Sequence, residues 1–325
     1  MSRPLLNVEN LSVTYRTTKG PIEAVRGVSF ELGREKLGIV GESGSGKSQT
    51  GRAILRLTAA NGSVAADRFD FDGIDLLAAS EREMRRIRGN RISMILQDPK
   101  YSLNPVMKAG DQIAEAYRVH HRTGRRAARE RAIEMLSSVL IREPERVYHS
   151  YPHELSGGMG QRVMIAMMMI PEPDIIIADE PTSALDVVVQ RQVMTTLGRL
   201  QKETGASVIL VGHDMGLIAQ FADTVGVMYA GKLVDVAPIK QMVEEPLHPY
   251  SQLLLQSVPG LEEKQERLVG IPGMPPTLIN LPPGCLFQPR CPQAIPTCSQ
   301  VTPVLQSPAG NTGAGERQVA CHLYD

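Results

Sequence analysis

Apolar residues in this chain fall into short runs whose spacing and flanks predict strands and helices in alternation. Leu5 to Arg16 and Ile22 to Leu32 are β-rich and separated by Thr17-Thr18-Lys19-Gly20-Pro21, which predicts an antiparallel pair. Lys36 to Val40, Arg91 to Leu96, Ile175 to Ile177 and Ser207 to Val211 are brief apolar runs of the kind that form buried strands. Arg68 to Phe71 reads as a connecting strand. Helices are predicted over Gln49 to Leu57, Glu83 to Arg88 and from Ser156 to about Met169, and the stretch from about Pro99 to His153 is helical and polar. The methionines at 164, 167, 168 and 169 read as core filler on their helix. The longest apolar stretch in the middle of the chain, Val163 to Ile170, is eight residues, against the ~20 a membrane-crossing helix needs.

Length and charge narrow this picture. The 325 residues, 42% hydrophobic, suffice for a full-sized core plus an appendage. Lys+Arg and Asp+Glu both total 35, so no global basic field favours nucleic acid. The run Arg122-Thr123-Gly124-Arg125-Arg126-Ala127-Ala128-Arg129-Glu130-Arg131 is locally basic. Interspersed acids and the lack of interleaved aromatics favour a solvated helix face beside a partner over a nucleic-acid surface. The start, Met1 to Glu9, shows no secretory h-region, so a cytoplasmic setting is expected.

The candidate chemistry begins at Gly41-Glu42-Ser43-Gly44-Ser45-Gly46-Lys47-Ser48, which fits G-x-x-x-x-G-K-[ST]. Glycines let backbone N–H groups curl around phosphate, the lysine reaches the β- and γ-phosphates, and Ser48 offers a hydroxyl to Mg²⁺. A strand precedes the loop and a helix beginning near Gln49 follows it, so the helix dipole points at the anion. Asp179 and Glu180 follow the isoleucine run, at the C-terminal end of a predicted parallel strand, where α/β sheets place their chemistry. A solvated strand end is the alternative, disfavoured by the isoleucines before and Pro181 after.

Leu155-Ser156-Gly157-Gly158-Met159-Gly160-Gln161-Arg162, then Asp179-Glu180-Pro181-Thr182-Ser183-Ala184-Leu185-Asp186, then Gly212-His213-Asp214 resemble, in this order, the motifs of ATP-binding cassette (ABC) ATPases. The resemblance covers most of residues 5 to 240. It implies an α/β fold with a P-loop NTPase (RecA-like) core, an antiparallel β subdomain and an inserted helical subdomain at about 98–160, all within residues 1–245. It also implies roles. Gly41, Ser43, Gly44, Ser45, Gly46, Lys47, Ser48 and Gln49 would bind ATP, and Tyr15 would stack on adenine, the alternative being a sheet tyrosine with no ligand. Ser48, Gln97 and Asp179 would hold Mg²⁺; Gln97, at the Gln97-Asp98-Pro99 end of its apolar strand, would touch Mg²⁺ or the attacking water and so counts among the catalytic residues. Glu180 would be the general base, and His213 would contact the γ-phosphate. Ser156, Gly157 and Gly158 would complete the nucleotide site of a second cassette. The chain departs from the family at Met159, where Gln is common, at Gly160, often basic, and at Gly212, where a hydroxyl residue is common.

All cysteines lie in the last part of the chain, at Cys285, Cys291, Cys298 and Cys321, with five, six and 22 residues between them. Spacing alone leaves an iron–sulfur cluster, zinc and unliganded thiols open, with disulfides least favoured. His248-Pro249-Tyr250-Ser251-Gln252-Leu253-Leu254, Ile271-Pro272-Gly273-Met274-Pro275-Pro276 and Pro283-Gly284-Cys285-Leu286-Phe287-Gln288-Pro289-Arg290-Cys291-Pro292 resemble the C-terminal extension of dipeptide/oligopeptide-type ABC importer ATPases. That resemblance assigns residues 246–325 to a small Cys-rich extension and implies a [4Fe–4S] cluster on the four cysteines, serving as a structural staple. It further implies a second ATPase subunit of paralogous sequence, two integral membrane permease subunits, an extracytoplasmic solute-binding protein, and a place on the cytoplasmic face of the membrane. The competing reading is a soluble ABC ATPase acting on nucleic acid or ribosomes, but neither the coiled-coil insertion nor the fused cassettes usual there are present. No nucleic-acid partner is expected.

Overall fold

In the computed structural model the two long β-rich segments pair antiparallel across a two-residue turn, as expected. The structure describes residues 3–98, 102–183, 185–258, 270–308 and 317–325; of the residues named above, Met1, Ser2, Pro99 and Ala184 lie outside these. The chain divides into two units, Met1–Ala78 with Leu210–Asp325, and Ala79–Ile209.

The first unit opens with β1 (Leu6–Thr17), β2 (Gly20–Leu32), β3 (Lys36–Val40), α1 (Lys47–Ile54), β4 (Gly62–Ala65), β5 (Arg68–Phe71) and β6 (Ile74–Asp75). β1 pairs antiparallel with β2, Val8 facing Phe30 and Val13 facing Val25. On its other edge it pairs with β5, Leu6 facing Phe71, and with β4, Ser12 facing Ala65. Bulges in β1 between Val8 and Ser12 and between Val13 and Thr14 bend the strand. Leu6, Val8, Leu11, Val13, Phe69 and Phe71 are buried together.

The second unit carries α2 (Glu81–Ile87), β7 (Ile92–Ile95), α3 (Ala109–His120), α4 (Arg125–Ser138), α5 (Pro144–His149), α6 (Gly157–Met169), β8 (Ile175–Asp179) and α7 (Val187–Thr204). β7 and β8 are parallel and wholly buried, Ile92 beside Ile175 and Ile95 beside Ala178. The basic stretch becomes helical only from Arg125. There Arg126 pairs with Glu130, and Arg131 with Glu134 and Glu172, an ion-paired surface.

β9 (Ser207–Gly212) carries the chain back to the first unit, which is completed by α8 (Met215–Phe221), β10 (Thr224–Tyr229), β11 (Lys232–Pro238), α9 (Ile239–Glu244), α10 (Pro249–Gln256) and β12 (Gln318–Val319). β10 runs parallel to β3, Val227 beside Val40, and antiparallel to β11. β12 pairs antiparallel with β11, Val319 facing Asp235. Among the described residues no helix is long and apolar enough to cross a membrane.

Candidate functional site

In the first unit the loop between β3 and α1 closes on its own lysine. Lys47 is 4% exposed, and its Nζ donates to the carbonyls of Gly41 at 2.7 Å and Glu42 at 2.8 Å, and to Ser45 Oγ at 3.3 Å. The loop is fixed from outside by Gly231 N–H donating to Ser45 O at 2.9 Å. Two glycines are dictated by space. A Cβ on Gly41 would stand 2.1 Å from Met228 O, and one on Gly46, whose φ is 104°, would stand 2.3 Å from Ala24 O. α1 starts at Lys47 with no side-chain cap. The loop thus sits at the positive end of the helix dipole, which favours an anion there.

Tyr15 lies beside this loop, its hydroxyl donating to Gln49 Oε1, and its ring limits the space at Gly62. Burial pushes the Tyr15 hydroxyl above its ordinary pKa. His213 follows β9 on an exposed turn, next to Asp214, which caps α8 by accepting from Leu217 N–H at 3.1 Å. A Cβ at Gly212 would meet nothing nearer than Ile218 Cδ1 at 3.5 Å, so packing does not demand glycine there.

In the second unit Asp179 ends β8 and is 3% exposed. Glu180, the next residue, has φ 45°. A non-glycine residue in the left-handed region is held there by its surroundings, and such strain concentrates at functional positions. Its Oε2 accepts from Gln97 Nε2 at 3.1 Å, so the two side chains assigned to the attacking water meet. The turn after Glu180 is tied down at Pro181, whose carbonyl accepts from Gln161 Nε2. Asp186 Oδ1 caps α7 on Val189 N–H at 2.9 Å. Ser156 Oγ caps α6 on Met159 N–H at 3.4 Å, and Ser156 and Gly157 are exposed at this helix start. Val187 and Val188 are also exposed, at 73% and 68%. Met159 is half-buried.

The C-terminal part of the chain adds contacts that sequence reasoning missed. Arg290 places Nη1 2.6 Å and Nη2 2.9 Å from the two carboxylate oxygens of Glu42, the second residue of the phosphate loop, while Tyr250 Oη accepts from Glu42 N–H at 2.8 Å. No periodicity flags such a pair, whose members stand 248 residues apart.

Cys285, Cys291, Cys298 and Cys321 all line one small cavity, together with His248 and His322. Burial pushes the thiols of Cys285 and Cys291 up, and that of Cys321 up to about 11. Among the described residues no group of three or more His, Cys, Asp and Glu side chains is arranged to hold a metal ion. The cluster implied by resemblance therefore gains no support from ligand geometry of that kind.

Comparison with known proteins agrees with these motifs. Residues 25–183 match the ABC transporter family and residues 234–298 the oligopeptide/dipeptide transporter C-terminal region. The chain is 45% identical to the oligopeptide transport ATP-binding protein OppD of Escherichia coli over 311 residues, 95% of this chain and 92% of that protein. It is 47% identical to the dipeptide transport ATP-binding protein DppD of Bacillus subtilis over 301 residues, 92% and 90% of the two chains. Its fold is similar to that of the ATP-binding cassette MJ0796, solved as a dimer in a post-hydrolysis state with ADP and phosphate, at a TM-score of 0.64 and 28% identity, covering 72% of this chain and 98% of that one. With a phosphate loop, an Asp-Glu strand end, a Ser-Gly-Gly helix start and relatives matched along nearly their whole length, the chain belongs to the ATP-binding subunits of ABC transporters of the oligopeptide/dipeptide type and is an ATPase.

Proposed function

We propose that this chain powers the uptake of peptides or a related small solute by hydrolysing ATP, at the cytoplasmic face of the membrane, against two membrane permeases fed by an extracytoplasmic solute-binding protein. The cargo class rests on the relatives, which are named for oligopeptide and dipeptide transport. The observation that carries the chemistry is the glycine-built loop closed around the Lys47 ammonium. In this reading ATP displaces the loop carbonyls from Lys47, and the backbone amides from Gly44 to Gln49 turn to the phosphates. Glu180 polarises the attacking water, Gln97 fixes the Glu180 carboxylate through their hydrogen bond, and His213 contacts the γ-phosphate. Ser48, Gln97 and Asp179 would hold Mg²⁺, which would neutralise charge on the phosphates. Tyr15 stacks on the base.

Ser156, Gly157 and Gly158 act on the nucleotide of a second cassette, most simply a paralogue. The exposed start of α6 and the exposed Val187 and Val188 support such a partner surface. Residues 1–245 form the cassette in this assignment, with the helical subdomain at about 98–160, and residues 246–325 the extension. Glu180→Gln tests the core of the reading: turnover in the assembled transporter should fall about 100-fold or more while ATP binding is retained. Unchanged turnover would remove Glu180 from its role. Purification of the tagged chain from membranes should bring down two multi-span subunits and a second cassette; ribosomal or nucleic-acid partners would instead favour the soluble ATPase.

We further propose that the four cysteines hold a [4Fe–4S] cluster, which would staple the extension. Their convergence on one cavity supports this, since a four-iron cluster spreads its thiolates wider than a single ion does. Anaerobically purified protein should contain iron and sulfide and absorb in the visible, and Cys291→Ser should lose both. Colourless, iron-free protein from anaerobic cells would end this reading.

A further inference from the structure

We infer that Arg290 is a positioning residue for ATP, which neutralises and anchors Glu42 so that a loop built to hold phosphate tolerates a carboxylate in its own turn. Glu42 sits between Gly41 and Ser43, and its carbonyl accepts from Lys47 Nζ at 2.8 Å and from Ser45 N–H at 3.2 Å. Its carboxylate is therefore carried on the same turn that must receive a polyanion. Like charges a few ångströms apart in a partly buried loop repel strongly unless one is compensated. Arg290 supplies that compensation from a side chain only 4% exposed, with Glu42 at 27%. The contact is a two-pronged fork, the strongest form of the arginine–carboxylate pair.

Arg290 is itself held in place. Its Nε donates to Pro272 O at 2.7 Å and its Nη1 also reaches Tyr229 Oη at 3.3 Å. The guanidinium carbon lies 5.8 Å from the Tyr229 ring centroid and 5.9 Å from that of Phe287. Tyr229, Tyr250 and Phe287 pack on one another with centroids 4.8 to 5.3 Å apart. Tyr250, through the Glu42 N–H, fixes the backbone of the same residue whose side chain Arg290 holds. Glu42 is thus gripped at both ends by the extension, and the Arg290–Glu42–Lys47 series runs from the extension to the lysine assigned to the phosphates. Through this pair the extension contributes directly to nucleotide affinity.

The inference rests on the assignment of Gly41 to Ser48 to ATP, and the experiment separates the two. Equilibrium ATP binding is measured on the full-length chain for the wild type, K47A, R290Q, R290K and the double variant E42Q/R290Q. If K47A binds as well as the wild type, the loop assignment itself fails. If K47A loses binding, R290Q is expected to weaken ATP by about tenfold, the scale of one lost charge pair, and E42Q/R290Q to recover most of it because the uncompensated carboxylate is gone. R290K, which keeps the charge and loses the fork, should weaken binding by about threefold. Two results overturn the inference: R290Q binding within about twofold of the wild type, or a double variant as weak as R290Q, which would mean general damage to the loop. Should R290Q fail to fold, R290K and the double variant decide, since wild-type affinity in R290K, or a double variant weaker than R290K, overturns it equally.

Discussion

Gly46 is the position in the loop where a single methyl group does most harm. It combines φ 104° with a Cβ site 2.3 Å from the carbonyl of Ala24. Gly46→Ala should cost about 1–3 kcal/mol in backbone strain alone, before the displacement of Ala24, and should abolish ATP binding; denaturant melts and nucleotide titration check both. His248 gives a second prediction at this scale. It is 1% exposed, its Nδ1 accepts from Tyr250 N–H at 3.0 Å, and burial lowers its pKa to about 3. The unfolded chain protonates this imidazole near the ordinary value of about 6.5, whereas the fold does not. Stability is therefore fully present above about 6.5 and is lost as pH falls toward about 3, by about 1.4 kcal/mol per pH unit from this group. Asp235, whose carboxyl burial pushes up, works in the opposite sense over part of the range. The comparison is therefore wild type against His248→Asn, whose acid limb should be flatter. Most of the residues on which these arguments rest were legible in the chain, because glycine and lysine in fixed spacing state their reason. Arg290 was not: it lies among prolines and cysteines, and its partner Glu42 occupies a motif position that tolerates any residue.

The starts of α2, α6 and α7 in the second unit are capped by side chains. Ser80 and Glu83 form a reciprocal capping box on α2, and hydrogen bonding to Ser80 lowers the Glu83 pKa. Ser80→Ala, far from any assigned chemistry, should lower unfolding stability by about 1 kcal/mol in urea and leave ATP turnover unchanged. The strands foreseen as brief apolar runs, β3, β7, β8 and β9, are found within a residue or two of their expected bounds, since strands buried on both faces show as continuous hydrophobic stretches. α1 was placed by its phosphate loop but starts at Lys47 rather than Gln49 and stops at Ile54. β4 and β6 escaped notice because they are short, and β4 alternates exposed and half-buried residues with few large side chains. They exist because β1 and β5 offer them edges.

At the scale of the molecule the first unit is discontinuous in sequence, drawing on residues before Ala79 and after Ile209. β3, which leads into the phosphate loop, pairs with β10, some 190 residues later. A fragment ending at residue 209 should therefore leave β3 without that ladder, and hydrogen exchange at Ile39 and Val40 should be fast in the fragment and slow in the intact chain. No local signal announces a pairing of such range, which is why the sequence yields the elements more readily than their partners.

The two-residue strand β12 has a consequence out of proportion to its length. It covers one side of β11, assisted by Ala320 N–H donating to Val234 O at 2.9 Å and by the bridge from Gln306 to Val319. β11 presents Leu233, Val234 and Val236 along that margin. Without the cover, its unpaired amides and carbonyls would form a ready template for another chain. A protease or a premature stop codon that removed the last nine residues would thus expose an adhesive surface, and the shortened protein should enter oligomers or inclusion bodies at concentrations where the intact chain remains dispersed.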